Sequence, residues 1–462
     1  MFSVAELVTV TNGKLIGPDT GSVYGVSTDS RTIVAGQLFV PLQGKTFDGH
    51  DYIAAVIERQ VQVCLCAENW LKLHTLPDGI SCIIVPDTLR ALGDIAASYR
   101  RKFELPLIGV TGSNGKTTTK EMLAAILGQT GLGLMTSGNL NNLIGLPQMV
   151  LQLRSEHQWA VLEMGMSEPG EIDRLAEIAF PSVGIVLNAF PAHLQSMGTV
   201  EAVAQAKGEL LHRIQDGGLA VVNADDPRIA SLPQNPSARR ISFGIRRGEV
   251  RAEAIRNLGI EGQEFSLVTP KGATKVHLPA FGHHGIYNAL AASAALIDTL
   301  PLSVISAGLA AFTPYNGRFR LEQLADSTIL IDDSYNANPA SCAAALTTLQ
   351  ELKNRRRVVV VLGDMLELGP AETELHHAIG TQAAQVADRL YLLGTLAVHI
   401  ATGAQEAGMA GEHIIQASDH ATLTADIIRH ATPGDIILIK GSRGMQMEKI
   451  AAAIRAAQHQ EN

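Results

Sequence analysis

The sequence predicts an α/β chain of three domains, and three observations carry that prediction. Its 462 residues exceed what one core usually organises, at roughly 150 residues per domain. Short apolar runs of strand length alternate with amphipathic helical stretches, the pattern of parallel sheets covered on both faces. The composition, 46% hydrophobic, 18% charged and 4% aromatic, is that of an ordered protein and not of a disordered chain or a disulfide scaffold. The formal charge of −9 also argues against a sequence-independent nucleic-acid binder, which needs a basic field along the phosphates. No nucleic-acid partner is therefore expected.

Taken in order, residues 1–82 mix strand-like runs at 38–42 and 61–65 with one short helix near 51–59. They read as a small α/β module. The cysteines Cys64, Cys66, Cys82 and Cys342 have neither metal-ligand spacing nor secreted density, so free thiols are expected, with Cys64 and Cys66 on alternate faces of one strand. Residues 83–314 carry the longest strand–helix alternation: 106–110 then Lys116–Leu127, 160–164 then Glu171–Ala179, 183–187 then 199–214. This is the signature of a central parallel sheet. Residues 240–280 read as a few antiparallel strands, Asp225-Asp226-Pro227-Arg228 as a turn, and 285–300 as a buried helix. Pro314, Asn316 and Gly317 mark a linker. Beyond it, strands at 328–331, 357–362, Arg389–Leu393 and 435–439 build a third α/β domain over 315–462. A ligand is expected between the second and third domains, because open parallel sheets bind at strand carboxyl ends. The N-terminus lacks the basic start and apolar stretch of a signal peptide, and no run reaches the roughly 18 apolar residues of a membrane span, so a cytoplasmic protein without membrane insertion is expected.

The strongest chemical signal is GVTGSNGKTTTK at 109–120, an apolar strand ending in a Gly-rich turn before a helix. The common pattern G-x-x-x-x-G-K-[ST] would put its first Gly at 110, where this chain has Val, so the motif is a variant P-loop. Gly112 and Gly115 let backbone N–H groups converge on an anion, Lys116 adds a mobile charge, and the Thr117 hydroxyl is placed to ligate Mg²⁺. Thr111, Ser113, Asn114 and Thr118 complete the nucleotide-contacting loop. In AVLEMGMSEPGEI at 160–172, Glu163 ends a strand, where it reads either as a surface residue or as an oxygen ligand for Mg²⁺ opposite the P-loop.

TGSNGKTTTK resembles the nucleotide loop of the Mur ligase family of ATP-dependent amide ligases, which includes the folylpolyglutamate synthetases, and further family signatures occur in order along almost the whole chain. The resemblance implies a uridine-nucleotide module over 1–82, a P-loop ATPase domain over 83–314 and a Rossmann-like ligase domain over 315–462. It implies ATP and two Mg²⁺ ions, with Glu163 on one ion and His193, in NAFPAHLQSMG, on the second. Lys207, in AKGE, matches the lysine that carbon dioxide carbamylates, a change that turns an ammonium into a carboxylate-like group. In FGHHGIYNALAA, His284 and Asn288 match residues near the adenine, while Gly285 stands where the family usually has Asn. NGRFRLEQL gives Arg318 to the phosphates, and ILIDDSYNANPAS gives Asp333 to the ribose with Asn336 nearby. Asn338 before Pro339 reads as a helix cap.

DSYNANP further resembles the branch that joins D-alanyl-D-alanine to UDP-N-acetylmuramoyl-tripeptide, and the D-N-P-R pattern by which a sibling recognises diaminopimelate is absent from the third domain. STDSRTIVAGQLFVPLQGKTFDGHDYI at 27–53 resembles that branch's uridine-binding segment, which assigns Ser30 and Arg31 to the uridine diphosphate. Asn139, Lys440 and Arg443 join them as substrate contacts, the last two as groups for a peptide carboxylate or phosphate. Lys116, Glu163, His193, Lys207 and Arg318 form the implied catalytic set, acting in a monomer on small-molecule substrates. The alternatives are a family member that adds another amino acid or extends folate, and a non-catalytic ATP-binding switch, which would need the P-loop but not Glu163, His193 and Lys207 together.

Overall fold

The computed structural model describes residues 1–19, 21–191 and 194–460. Three sheets follow one another along the chain, with a two-stranded ribbon of Phe2–Ser3 and Ser22–Val23 at the start. The first sheet runs Lys14–Ile16, Ser81–Val85, Val63–Ala67, Gln37–Phe39, Gly25–Ser27, and only Lys14–Ile16 pairs antiparallel. Ser81–Val85 is one uninterrupted buried strand, so the boundary expected at 82/83 falls inside it. The apolar run SCIIV contains no turn residue at which a domain could end. Cys64 and Cys66 share a face: both join one cluster with Cys82 and Ile84, while Val63 and Leu65 pack into another. The expectation of alternate faces is corrected by the strand's own period of two. All four cysteines are free and buried.

The central sheet has nine strands, ordered Gly272–Leu278, Gln263–Thr269, Val250–Asn257, Arg239–Gly244, Leu219–Asn223, Val183–Val186, Leu107–Thr111, Trp159–Glu163, Gly133–Met135. The strands of 240–280 are not a separate antiparallel unit. Arg239–Gly244 pairs parallel with Leu219–Asn223, and antiparallel pairing begins only between Val250–Asn257 and Gln263–Thr269. Lys116–Leu127 and Glu171–Ala179 form helices over the predicted residues, whereas the helix expected at 285–300 spans Gly282–Leu296. Its Gly-His-His start carries no cap signal that sequence could show. Asp226 caps the short helix Pro227–Ala230 through a bond from Arg228 N, with Pro at its first turn, so DDPR is a helix start and not a simple turn.

The third sheet is ordered Arg320–Gln323, Ile329–Asp333, Ile436–Lys440, Val358–Gly363, Arg389–Leu393, Ile414–Ala417, and only the first pairing is antiparallel. The sequence reading found the four inner strands and missed both edges. RLEQ and IIQA are partly exposed, because an edge strand lacks the continuous apolar run of a doubly covered one. Asn338 caps Pro339–Leu352 with a reciprocal Ser341 bond.

Hydrophobic burial ties these sheets together unequally. One continuous cluster holds Leu65 and Val85 of the first sheet, Leu92 and Ile95 of the helix Thr88–Arg100, and Leu107, Ala160 and Leu162 of the central sheet. The opposite central face packs on the helix Gly282–Leu296. The third sheet has its own cores, to which Phe281 is added from the central unit. The carboxyl ends of Leu107–Thr111, Trp159–Glu163 and Val183–Val186 thus meet those of Ile329–Asp333 and Ile436–Lys440 across one cleft. Among the described residues no helix is long and apolar enough to cross a membrane.

Candidate active site

The strand Leu107–Thr111 is buried throughout, and the helix Lys116–Leu127 starts after Gly115, which adopts φ +89°. A side chain there would be strained and would collide with Asn288 Oδ1, so Gly at 115 is needed for conformation and for close packing. No side chain caps the helix. Its first N–H groups are left for an anion, at the positive end of the helix dipole. The loop is held from beneath by Asn188, whose carbonyl accepts from Ser113 N at 3.1 Å and whose side chain exchanges bonds with Asn114 at 2.9 and 3.1 Å. Sequence reasoning did not single out Asn188, although its place at the end of VGIVLN was the available signal. The Thr111 hydroxyl is occupied by Met164 O at 2.9 Å, so this residue joins two strands instead of offering a nucleotide contact.

Lys116 folds back on the loop, with Nζ 2.6 Å from Gly112 O. Burial pulls its pKa down from 10.5 to about 8, opposed by Glu163 and assisted by Arg318. Lys207 is 3% exposed, and burial, with Lys116 adding to it, holds its amine well below the ordinary range. The sign for stability follows from proton binding. The unfolded chain keeps the Lys116 proton to about pH 10.5 whereas the folded one releases it near 8, so the nucleotide-free protein is expected to gain stability as pH rises through that window. Burial acts on Lys207 in the same direction. Urea denaturation of wild type and Lys116→Met between pH 7.5 and 10 measures the Lys116 share, which is contradicted if both lines rise with the same slope.

Thr117 Oγ1 lies 3.3 Å from Glu163 Oε2. Glu163 is 1% exposed, and its other oxygen has no hydrogen-bond partner; the nearest cation, Lys120 Nζ, is 3.8 Å away. Lys120 is itself buried, 2.7 Å from Glu121 Oε1 and 2.9 Å from Thr136 O, and Thr136 Oγ1 accepts from Glu163 N at 2.8 Å. A hydroxyl and a carboxylate side by side at the head of a P-loop helix fit Mg²⁺, which takes one or two protein oxygens and completes its shell from phosphate and water. Among the described residues no three His, Cys, Asp or Glu side chains are placed to hold a metal ion by themselves, and His193 lies outside the described residues.

From the third unit, Arg318 Nη2 donates to Thr117 Oγ1 at 3.3 Å. Asn338 and Asn114 exchange amide bonds of 2.7 and 3.3 Å across the same gap. Lys440 is 2% exposed. A lone ammonium there would cost several kcal/mol, and its contacts, Asp333 Oδ2 at 2.6 Å and Asn336 O at 3.1 Å, show what its charge does: it fixes the Asp333 loop instead of standing free for a substrate carboxylate. The other Asp333 oxygen accepts from Phe319 N at 3.1 Å, and Asn336 Oδ1 from Arg443 N at 3.3 Å.

The cleft has a volume of about 680 Å³ and is lined by Ser113 to Lys116, Thr118, His284, Asn288, Arg318, Asp333, Asn336 and Lys440. Burial lowers the His284 pKa to about 4, with Asp333 opposing and Lys440 assisting, so the imidazole is neutral near pH 7 and has both a donor and an acceptor nitrogen. Asp225, read from sequence only as part of a turn, and Tyr287, which sequence reasoning passed over, line one end. Asp225 Oδ2 accepts from Ile245 N, Arg246 N and Tyr287 Oη at 2.8 to 2.9 Å.

The remaining expected contacts are not in this cleft. Arg31 is exposed and forks onto Asp29 at 2.8 and 2.9 Å, with Ser30 beside it on the first unit, and Asn139 is exposed in the loop after Gly133–Met135. The guanidinium of Arg443 pairs with Glu448 at 2.9 Å.

Three family models match the chain: "Mur ligase family, catalytic domain" over 22–100, "Mur ligase middle domain" over 110–296 and "Mur ligase, glutamate ligase domain" over 317–443. The UDP-N-acetylmuramoyl-tripeptide--D-alanyl-D-alanine ligase of Escherichia coli is 37% identical over 460 residues, covering 98% of each chain. A crystal structure of MurF from Acinetobacter baumannii superposes with a TM-score of 0.89 at 34% identity, covering 98% of this chain and 99% of that one. MurF ligase from Thermotoga maritima in complex with ADP gives 0.83 at 25% identity, covering 95% and 99%.

Proposed function

The chain belongs to the Mur ligase family, and from that premise we propose that it joins D-alanyl-D-alanine to UDP-N-acetylmuramoyl-tripeptide at the expense of ATP, yielding the pentapeptide, ADP and phosphate. The observation that carries the reading is the assembly at Thr117: Glu163 at 3.3 Å from the central unit and Arg318 at 3.3 Å from the third. A nucleotide switch needs the P-loop alone, whereas phosphoryl transfer to a second substrate needs charge stabilisation delivered from across the cleft.

The carboxylate of the tripeptide is a poor electrophile until it is phosphorylated. ATP lies along the P-loop, with the helix N–H groups and Lys116 on its phosphates, His284 and Asn288 toward the base, and Asp333 and Asn336 toward the ribose. As the γ-phosphoryl group moves to the carboxylate, Lys116 and Arg318 offset the charge on its oxygens. Thr117 and Glu163 hold Mg²⁺, which when bound polarises the phosphoryl oxygens. His193 and a carbamylated Lys207 would hold a second ion, and the buried, depressed Lys207 amine supports that modification because carbon dioxide reacts with the neutral form. The amine of D-alanyl-D-alanine then attacks the acyl phosphate, and the tetrahedral adduct expels phosphate. An α-amine pKa of roughly 8 leaves enough free base near neutrality, so positioning by closure of the third unit carries this step.

In this reading the first unit holds the uridine end through Ser30 and Arg31, the central unit ATP, and the third unit the dipeptide near Arg443, with Lys440 holding the Asp333 loop. Asn139 stands on the tripeptide side. We read the working unit as a monomer, and the nucleotide substrates of this reading suit a cytoplasmic enzyme. Incubating the protein with ATP, Mg²⁺, the UDP-tripeptide and D-alanyl-D-alanine, each omitted in turn, is expected to give phosphate only when both peptide substrates are present, together with the pentapeptide mass. Phosphate release indifferent to both peptides would instead mark an ATP-driven switch.

A further inference from the structure

Arg318 is held in an unusual way, and the inference here rests on its reading as the phosphate-side cation. Its Nη2 reaches Thr117 Oγ1, its Nε is buried without a hydrogen-bond partner, and among the described residues no carboxylate forms an ion pair with it. What lies against it is the ring of Tyr335, whose centroid is 4.0 Å from Arg318 Cζ. Arg443 Cζ is 5.7 Å from the same ring, farther out and already paired with Glu448.

The backbone pins this stack at its base. Tyr335 N donates to Gly317 O at 3.1 Å, the residue before the arginine, and Arg318 N donates to Tyr315 O at 3.1 Å. Gly317 has φ +72°, and a Cβ there would come within 3.1 Å of both Tyr335 N and Tyr335 Cβ. The linker and the loop after Ile329–Asp333 therefore approach at a point where only glycine fits comfortably. The ring and the guanidinium are brought into register by main-chain contacts and do not depend on their own flexible side chains for it.

The choice of an aromatic partner matters chemically. A carboxylate would orient the guanidinium but would cancel its charge and occupy the N–H groups a phosphate needs. A ring face attracts the cation through its quadrupole and leaves both charge and donors in place. We propose that Tyr335 is a positioning residue that holds Arg318 aimed at the transferring phosphoryl group without neutralising it.

The test compares Tyr335→Leu and Tyr335→Met, which fill the space without a ring, with Tyr335→Phe, which keeps the ring and drops the hydroxyl. In the full ligation assay kcat is expected to fall about tenfold in the first two and to stay within about twofold of wild type in the third. If Tyr335→Leu fails to fold by thermal melting, Tyr335→Met carries the same comparison. The deciding measurement repeats Tyr335→Leu, or Tyr335→Met in its place, in an Arg318→Ala background, where a residue acting through Arg318 has nothing left to lose. An undiminished rate in the Leu and Met variants, an equal loss in Tyr335→Phe, or the same tenfold loss in the Arg318→Ala background would overturn the inference and leave the ligase reading intact. An Arg318→Ala enzyme with wild-type turnover would sink the assignment of Arg318 and the inference with it.

Discussion

Lys116→Met is expected to lose turnover by on the order of 10³-fold, the scale on which a preorganised charge on a transferring phosphoryl group acts. The ammonium sits 2.6 Å from Gly112 O, inside the loop that ATP's phosphates would occupy, so it has only to swing off a carbonyl to meet them. Methionine keeps an unbranched apolar stem one atom shorter and removes the charge together with the bond to Gly112 O. The fold should survive, since burial already works against the charged form. Phosphate release under saturating substrates checks it, with circular dichroism to confirm folding, and a variant within tenfold of wild type would refute a charge role for Lys116.

Glu163→Gln is expected to cut the rate about 100-fold at a fixed Mg²⁺ concentration and to raise the Mg²⁺ needed for half-maximal rate. The amide keeps the shape of a side chain that is 1% exposed but removes the anion that faces Thr117 at 3.3 Å. Lys120 keeps Glu121 at 2.7 Å and Thr136 O at 2.9 Å, so the substitution strands no buried ammonium and tests the metal role cleanly. Initial rates over a Mg²⁺ series give the answer. A wild-type Mg²⁺ dependence in the variant would place the ion elsewhere.

Sequence was most informative where one local pattern decides the structure. The helix from Lys116 was legible to the residue and the strand before its Gly-rich loop to within one, Leu107–Thr111 where 106–110 was expected, because apolar run, glycine placement and helix period all point the same way. Asn338 was legible as a cap for the same reason: Asn before Pro at a helix start has few other uses. The edge strands Arg320–Gln323 and Ile414–Ala417 were not, since half their surface faces water and their composition matches a loop. Lys440 was read as a group for a peptide carboxylate or phosphate, although its position at the end of IILIK, a strand buried throughout, already implied a buried partner. Asp225 and Tyr287 pair 62 residues apart and Tyr335 stacks on Arg318 from the next strand's loop, pairings for which one sequence contains no signal, while Asn188 offered only its place at a strand end. The uridine-side residues Ser30 and Arg31 rested on resemblance throughout.

The sharing of one hydrophobic core between the first two sheets has a thermodynamic consequence. Leu65 and Val85 cannot leave it without exposing Leu92, Leu107 and Leu162 to water, so those two sheets melt together, while the third, with its own cores, melts as a separate transition. Three folds in sequence thus make two cooperative blocks. At the active-site cleft the seam between the blocks is polar, made of amides, a guanidinium and a hydroxyl, while Phe281 reaches from the central unit into the core of the third. The seam's polar side can part and re-form without opening a hydrophobic interior, and a nucleotide bound across it would draw the two melting transitions toward one.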